Sequence, residues 1–594
     1  MSANLVHSSG ARCSMTELLA SHALEFPDKP ALVFVGPGQP DQTMTYGELE
    51  QAVIATARGL IERGLSGRAV GLHMPAGLDF VVALLACFAA SAVAAPIAPI
   101  GRRKQRQAGV TEILHDCQAA AVIVGSSAAQ EAQDLAWVAA EGIPVLEPRE
   151  LSSASVATWP EPPPPNALAV LQYTSGSTSN PKGVMLSHAA VMANQAMIKS
   201  AFEHDSRSDF VGWAPHFHDQ GLFGNILQPL YLGASCVLMS PAAFLRQPLF
   251  WLETIGRFRA HTSGGPNFAY ELCIEHLRRH GGFQADLSSW RKAFNGAEPI
   301  RASTMRAFAA AFEPYGFDPE AVLPCYGLAE CTLFTSGRAR HAQQMSVSFD
   351  ATALSEGRVI EAAPGARATE IVSCGPPAEG AEFLVVEPGG ARPLQPAQLG
   401  EIWIAGPHIA EGYWRRPEDT AETFVTDPTT GRRYLRTGDL GFMWQGELFI
   451  ADRLKDLIIV RGRNVYPHDV EAICVEASDA LAPTAAAAVA IETASGQAIC
   501  LIAEARRSAR RDLDVVSIAK KLKEALILDL GVSLDALVVI PPGAMPKTTS
   551  GKLQRRRIRL LLLDGELPVQ ASLGLPANLH PQKHAEPAGL ERAQ

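Results

Sequence analysis

Residues 173–183 read YTSGSTSNPKG and close the apolar run ALAVLQY of residues 167–173. Five Ser and Thr hydroxyls, two glycines and one lysine, Lys182, fall within this stretch. Glycine lets backbone N–H groups approach and wrap an anion. Ser and Thr hydroxyls add donors, and the lysine adds a positive charge. A polyphosphate needs these groups, and a departing pyrophosphate needs them most, because its charge grows in the transition state. The spacing does not fit G-x-x-x-x-G-K-[ST], so this is not a Walker A loop. The bland alternative is a solvated Ser/Gly linker. The position of the loop, between a buried strand and a helix expected from about His188, favours the cradle.

Outward from this loop, short apolar strands alternate with helical stretches. Residues 69–74 (AVGLHM), 121–124 (AVIV) and 167–173 read as strands, and residues 78–90 as a helix. Each ends in a Gly-containing turn or a polar loop, which predicts α/β layers with buried, mostly parallel sheets. Residues 159–165, WPEPPPP, cannot continue a helix or a central strand and read as an extended surface connection. Residues 80–100 carry no charge, but Ser91, Pro96 and Pro99 interrupt them. A buried helix leading into a loop is therefore expected there, not a membrane span.

The pattern changes near Asp452. Residues 401–412 and 434–450 read as short β segments with Gly and Pro turns. Beyond them lies a compact mixed unit with strands at 457–460, 486–492, 498–505 and 536–540. Helices are expected from about His468 and over 518–529. The fold class is thus α/β. Residues 1–451 form a large N-terminal domain of layered α/β subdomains plus a β-rich subdomain, and residues 452–566 a small, mobile α+β C-terminal domain. Residues 567–594 are rich in Pro, Gly, Ala and His without periodicity, and a disordered tail is expected.

At roughly 100–200 residues per domain, 594 residues accommodate this division, and 47% hydrophobic against 19% charged residues supply ample cores. A formal net charge of −10 argues against nucleic-acid binding, which needs a basic field. The ten cysteines form no CxxC pair, and the N-terminal MSANLVHSSGARCSM lacks an apolar signal region. A cytoplasmic enzyme with reduced thiols is expected.

Further strings follow in order: TYGELE at 45–50, WAPHFHDQGL at 213–222, NGAEP at 295–299 and CYGLAE at 325–330. Then come GYW at 412–414, RTGDL at 436–440, DRLKDLIIVRGRNVYPHDVE at 452–471 and PKTTSGKLQR at 546–555. Together with the 173–183 loop, this set resembles the adenylate-forming (acyl-activating) superfamily over roughly residues 15–565. The resemblance implies an ATP-dependent ligase whose site lies between the large and small domains. There a carboxylate attacks the α-phosphorus of ATP and pyrophosphate leaves, so the site must neutralise charge and hold an in-line geometry. By the same resemblance, Thr174, Ser175, Gly176, Ser177, Thr178 and Lys182 bind the β- and γ-phosphates, and Glu330 helps hold Mg²⁺, a hard cation that prefers oxygen ligands. Tyr326 and Gly327 lie at the adenine, and Gly296, Ala297 and Glu298 shape its slot. Asp439 accepts from the ribose hydroxyls, and Arg453 supports the ribose and phosphate. Lys552 is the implied catalytic lysine, bridging the substrate carboxylate and the AMP moiety. Lys455 matches the hinge about which the small domain swings.

The PHFHDQGL string narrows the family to its fatty acyl-AMP ligase branch, in which His216 and Asp219 belong to the acyl and active-site pocket. His216, His218 and Asp219 could also suggest a metal cluster, but no further His or Cys stands at metal spacing. Residues 338–377, containing ALSEGRVIEAA and VSCGPP, resemble the insertion that this branch carries and that is thought to disfavour productive use of CoA. The resemblance therefore implies a fatty acid as substrate, with ATP and Mg²⁺. The expected acceptor is the phosphopantetheine thiol of a separate acyl carrier protein, or of a carrier domain of a polyketide or nonribosomal synthase. A fatty acyl-CoA ligase is the alternative. Residues 530–537, LGVSLDAL, imitate a carrier attachment string, but Val532 rather than Asp precedes Ser533. No nucleic acid and no membrane span are expected among the partners.

Overall fold

The computed structural model describes residues 14–99, 104–125, 138–139, 142–151, 158–174, 181–337, 346–428, 430–460, 463–493, 496–507, 509, 513–548, 552–576 and 579. Two large sheets dominate the N-terminal part. In the eight-stranded sheet the order runs Ser336–Gly337, Val322–Tyr326, Lys292–Asn295, Thr262–Gly265, Phe210–Gly212, Cys236–Met239, Pro30–Val35, Gln42–Thr45. Its interior pairings are all parallel, and only the two edge strands are antiparallel. The seven-stranded sheet runs Gly412–Tyr413, Lys182–Ser187, Leu168–Thr174, Val93–Pro96, Ala69–His73, Ala121–Val124, Val145–Leu146. It is parallel from Leu168–Thr174 onward.

The helix Leu78–Ala89 explains why these layers hold together. Residues Phe80 to Ala89 are all buried, and they share one apolar cluster with Leu32 of the first sheet and Val70 and Ile123 of the second. A helix apolar on every side must be covered on every side, and each large side chain buried this way contributes about 1.5–3 kcal/mol. The uncharged stretch is therefore a core helix, and it runs on into the strand Val93–Pro96. Among the described residues no helix is long and apolar enough to cross a membrane.

A third, five-stranded antiparallel sheet contains Glu382–Val386, Gly400–Ala405, Arg433–Trp444, Phe424–Thr426 and Glu447–Arg453. The small domain follows it. Its sheet pairs Leu481–Thr493, Gly496–Ala505, Ala536–Ile540 and Ala571–Leu573, flanked by the helices Pro467–Ala477, Val515–Asp529 and Arg555–Leu563.

Two expectations need correction. The phosphate loop does not lead into a helix. It joins Leu168–Thr174 to the antiparallel strand Lys182–Ser187, and the helix His188–Phe202 begins only after that strand. Residues 567–576 are not a disordered tail. Ala571–Leu573 pairs with Ala536–Ile540, and Leu567, Leu575 and Leu579 are buried in the small-domain core. A three-residue edge strand is too short to show a period, so burial of scattered leucines decides its structure. The 451/452 division lies inside the strand Glu447–Arg453.

Candidate active site

Parallel strands send their C-terminal ends to one edge of a sheet, and loops leaving that edge form the usual ligand crevice of α/β folds. Three motifs leave the eight-stranded sheet this way: Trp213–Asp219 after Phe210–Gly212, Gly296–Pro299 after Lys292–Asn295, and Gly327–Glu330 after Val322–Tyr326. They wall a cleft of about 1610 Å³ that also receives Gly438, Asp439, Arg453 and Lys455, and Lys552 of the small domain.

At one wall, the Tyr326 hydroxyl donates to Asp439 Oδ2 at 2.6 Å and Arg453 Nε donates to Asp439 Oδ1 at 3.1 Å. Asp439 and Arg453 face each other across the hairpin of Arg433–Trp444 and Glu447–Arg453, so strand register sets their pairing. A carboxylate has about four lone-pair positions. Asp439 therefore keeps capacity for two donated hydroxyl protons, as a ribose would present. Gly296, Ala297 and Glu298 border the same space, with Ala297 at φ +73°. Glu298 does more than shape this wall: its carboxylate accepts the Phe268 amide at 2.6 Å. Burial raises its pKa, which that amide partly offsets. Gly327 is a steric necessity, since a Cβ there would stand 1.7 Å from the Leu333 carbonyl oxygen.

A second wall gathers the phosphate-binding candidates. Glu330 sits on the short turn Ala329–Cys331 and accepts the Tyr413 hydroxyl at 2.7 Å. Lys182 pairs with Asp419 at 2.6 Å, its ammonium 5.2 Å from the centre of the Tyr413 ring. The sequence reading did not single out Tyr413 or Asp419. GYW held the signal for Tyr413, whereas Asp419 gave none, because its relation to Lys182 exists only in the fold. Thr174 ends its strand opposite Lys182. Ser175, Gly176, Ser177 and Thr178 lie outside the described residues.

Lys552 enters from the small domain. Its backbone pairs with Thr548, Lys552 N–H donating to Thr548 Oγ1 at 3.0 Å and Thr548 N–H to Lys552 O at 2.7 Å. The side chain reaches a recess walled by Trp213, Pro215, His218, Asp219 and Pro266 of the large domain. Burial lowers its pKa. Asp219, Glu298 and Asp439 oppose that shift, and Arg453 adds to it. Asp219 begins the π-helix Gln220–Leu227 and accepts the Gln220 amide at 2.8 Å. Such helices are rare and concentrate at functional sites.

His216 and His218 divide differently from expectation. His216 does not line the cleft. Its Nε2 engages the Met74 carbonyl at 2.9 Å, and its ring packs on Phe80 at 4.3 Å. His218, two residues on, is the imidazole beside Lys552. Burial first, and the Lys552 charge second, push its pKa down to about 3, so it is neutral at pH 7. Lys455 lies exposed on the turn after Arg453, which is tied to the large domain by Leu454 N–H donating to Gly438 O at 2.8 Å.

The description of AMP-binding enzymes as a family matches residues 19–414. The chain is 38% identical over 543 residues to a medium-chain-fatty-acid–[acyl-carrier-protein] ligase of Moorena producens, covering 88% of this chain and 90% of that protein. It is 34% identical over 593 residues to a medium-chain-fatty-acid–[acyl-carrier-protein] ligase of Teredinibacter turnerae, covering 91% and 92%. A solved structure of the fatty acyl-adenylate ligase from L. pneumophila, in complex with acyl adenylate and pyrophosphate, matches with TM-score 0.72 and 34% identity, covering 94% and 98%. The chain belongs to the AMP-binding enzymes, on their fatty acyl-AMP ligase branch.

Proposed function

We propose that this enzyme converts a medium-chain fatty acid and ATP to acyl-AMP and pyrophosphate, then passes the acyl group to the phosphopantetheine thiol of a separate carrier protein. The observation that carries the first step is the placement of Lys552 in a recess between Asp219 and the Asp439–Arg453–Tyr326 cluster. A substrate carboxylate there meets an ammonium whose charge is only partly compensated. The carboxylate oxygen forms a bond to the α-phosphorus, and the bond to the bridging oxygen of pyrophosphate breaks. Lys552 sits between the two anions that must approach each other, so it offsets their repulsion and holds the attack in line. A compact ammonium on a four-carbon stem suits this bridging task.

Lys182 neutralises the leaving phosphates once they displace Asp419 from it. Tyr326, Asp439 and Arg453 orient the nucleoside. Among the described residues no group of three or more His, Cys, Asp or Glu side chains could hold a metal ion. The carboxylate of Glu330 fits Mg²⁺ in another way, because this ion usually takes one or two carboxylates plus substrate phosphates. Bound there, Mg²⁺ would neutralise charge on the triphosphate.

Transfer requires the small domain to move, and we take the turn at Lys455 as the hinge between residues 1–451 and 452–566. The support for a carrier acceptor over CoA is the 338–377 segment. Its strands Ser346–Asp350 and Ala368–Val372 pack through Phe349 and Ile371 on Phe442 and Phe449 of the large domain and on Tyr466 of the small one. Arg367 donates to the carbonyls of Ile527 and Leu528 on the small domain at 3.0 Å each. A tether between the domains restrains the swing that a CoA-using pose requires. The names of the relatives agree with this acceptor.

The test supplies the enzyme with ATP, Mg²⁺ and decanoic acid, then offers CoA or a phosphopantetheinylated carrier protein, with products read by mass spectrometry. Acyl-AMP, pyrophosphate and acyl-carrier are expected, with acyl-CoA at trace level. Abundant acyl-CoA would overturn the acceptor, and absence of acyl-AMP would overturn the whole reading.

A further inference from the structure

The two ends of the phosphate loop are held from outside it. Residues 175–181 join the strand Leu168–Thr174 to the strand Lys182–Ser187. Across that junction Tyr173 stands opposite Gly183 and Thr174 opposite Lys182. The Tyr173 ring lies against Gly183, where a Cβ would stand 3.0 Å from Tyr173 Cζ and 3.1 Å from its hydroxyl oxygen. Glycine is required there for the close approach.

Asp116 reaches both ends. On the entry side the Tyr173 hydroxyl donates to Asp116 Oδ2 at 2.7 Å. On the exit side Arg416 Nη2 donates to Asp116 Oδ1 at 3.2 Å and to the Pro181 carbonyl at 3.3 Å. Trp414 doubles this link: its indole N–H donates to the Asp116 carbonyl at 3.1 Å and its backbone N–H to the Gly183 carbonyl at 2.8 Å. Local preference does not put a carboxylate here. Asp116 is the last residue of the helix Lys104–Asp116, where the dipole disfavours an anion. Arg416 supplies the compensating charge from 300 residues further along the chain. Their side chains are only 18% and 27% exposed, so the pair is better shielded than a surface one. A placement that breaks a local rule and is repaired from a distant element marks a constraint imposed by the site.

The site explains the constraint. Donors that receive growing charge act best when they need not reorganise as the reaction proceeds. Asp116 is absent from the cleft wall, whereas Tyr173, Pro181 and Lys182 belong to it, so any effect of Asp116 passes through the loop. We propose that Asp116 is a positioning residue for the triphosphate: by bracing Tyr173 and, through Arg416, Pro181, it fixes the spacing of the loop that receives the β- and γ-phosphates. The inference rests on the proposed adenylation.

The experiment compares the full-length wild type with Asp116→Asn and Tyr173→Phe in two assays. One follows pyrophosphate release from ATP and decanoic acid with Mg²⁺. The other follows acyl transfer from synthetic decanoyl-AMP to a phosphopantetheinylated carrier protein, a step from which pyrophosphate has already gone. Asp116→Asn should raise the KM for ATP about tenfold, the worth of one hydrogen bond to a charged group. The KM for decanoic acid and the transfer rate should stay at wild-type values. Tyr173→Phe, which keeps the ring against Gly183, should raise the KM for ATP in the same way. An unchanged KM for ATP in either variant overturns the inference. Transfer that falls in step with pyrophosphate release also overturns it, because a merely structural role damages both. Should Asp116→Asn not fold, Tyr173→Phe decides by itself. Absence of pyrophosphate release by the wild type removes the adenylation reading instead.

Discussion

Arg367→Ala removes one of the side chains by which the 338–377 segment contacts the small domain. The guanidinium Nη2 donates to two carbonyls, Ile527 O and Leu528 O, at 3.0 Å each. These belong to the last turn of the helix Val515–Asp529, where the dipole favours a cation; the Ile527 carbonyl also accepts the Gly531 amide at 3.1 Å. The helix end is shaped to admit the arginine. Gly531 has φ +66°, and a Cβ there would lie 2.2 Å from Arg367 Nη1. The contact is solvent-accessible, so each bond contributes nearer the helix-terminus range of about 0.3–1 kcal/mol than the buried charged value. Two bonds give about 0.6–2 kcal/mol, which shifts the equilibrium between docked and released small domain by about threefold to thirtyfold. Released domains can sample other acceptor poses. The assay is the ratio of acyl-CoA formed to acyl-AMP formed, with decanoic acid, saturating ATP and CoA. That ratio should rise about threefold or more in Arg367→Ala, and hydrogen exchange at residues 526–531 should quicken. An unchanged ratio together with quickened exchange would refute the idea that this tether decides the acceptor. Unchanged exchange would refute the tether itself.

Three other perturbations test the site and its surroundings. Lys552→Ala should cut acyl-AMP formation about a hundredfold or more, the scale of losing one preorganised charge donor. Its melting temperature should stay at the wild-type value, because the side chain fills a ligand recess rather than a core; near-normal pyrophosphate release would refute the assignment. Asp419→Asn frees Lys182 from a half-exposed ion pair of about 0.2–1 kcal/mol and should lower the KM for ATP up to about fivefold. An unchanged or raised KM in an ATP titration would show that Asp419 is no competitor for Lys182. His468 gives a pH signature: burial alone would depress its pKa, but Asp469 and Asp452 overcome burial and raise it to about 10. Its contribution to stability is therefore complete below about pH 6.5 and is lost as pH rises toward 10. Urea unfolding of His468→Gln at intervals from pH 7 to 10 should show a flatter pH dependence than wild type, and equal slopes would refute the pairing.

The fold class was legible because it rests on local patterns. Apolar runs such as residues 69–74 and 121–124 announce buried strands. An all-apolar stretch interrupted by Ser91 and Pro96 announces a core helix rather than a span. What failed was short or contextual. The strand Lys182–Ser187 hides behind a loop and a helix start, and Ala571–Leu573 is an edge strand of three residues. The burial of Lys182–Ser187 does not alternate, and three residues are too few for a period of two to stand out.

By itself the sequence determined which residue types carry the chemistry and in what order, because each motif brings its own backbone turn and its own side chains. Tertiary structure alone decided which of those side chains meet. Lys182 and Asp419 are 237 residues apart in the chain, and Tyr326 and Asp439 are 113 apart. Between His216 and His218 the chain offers two identical side chains, and packing on Phe80 takes one while the recess beside Lys552 takes the other. Charge, hydrogen bonding and burial act over a few ångströms, and only folding turns separation along the chain into distances of that size.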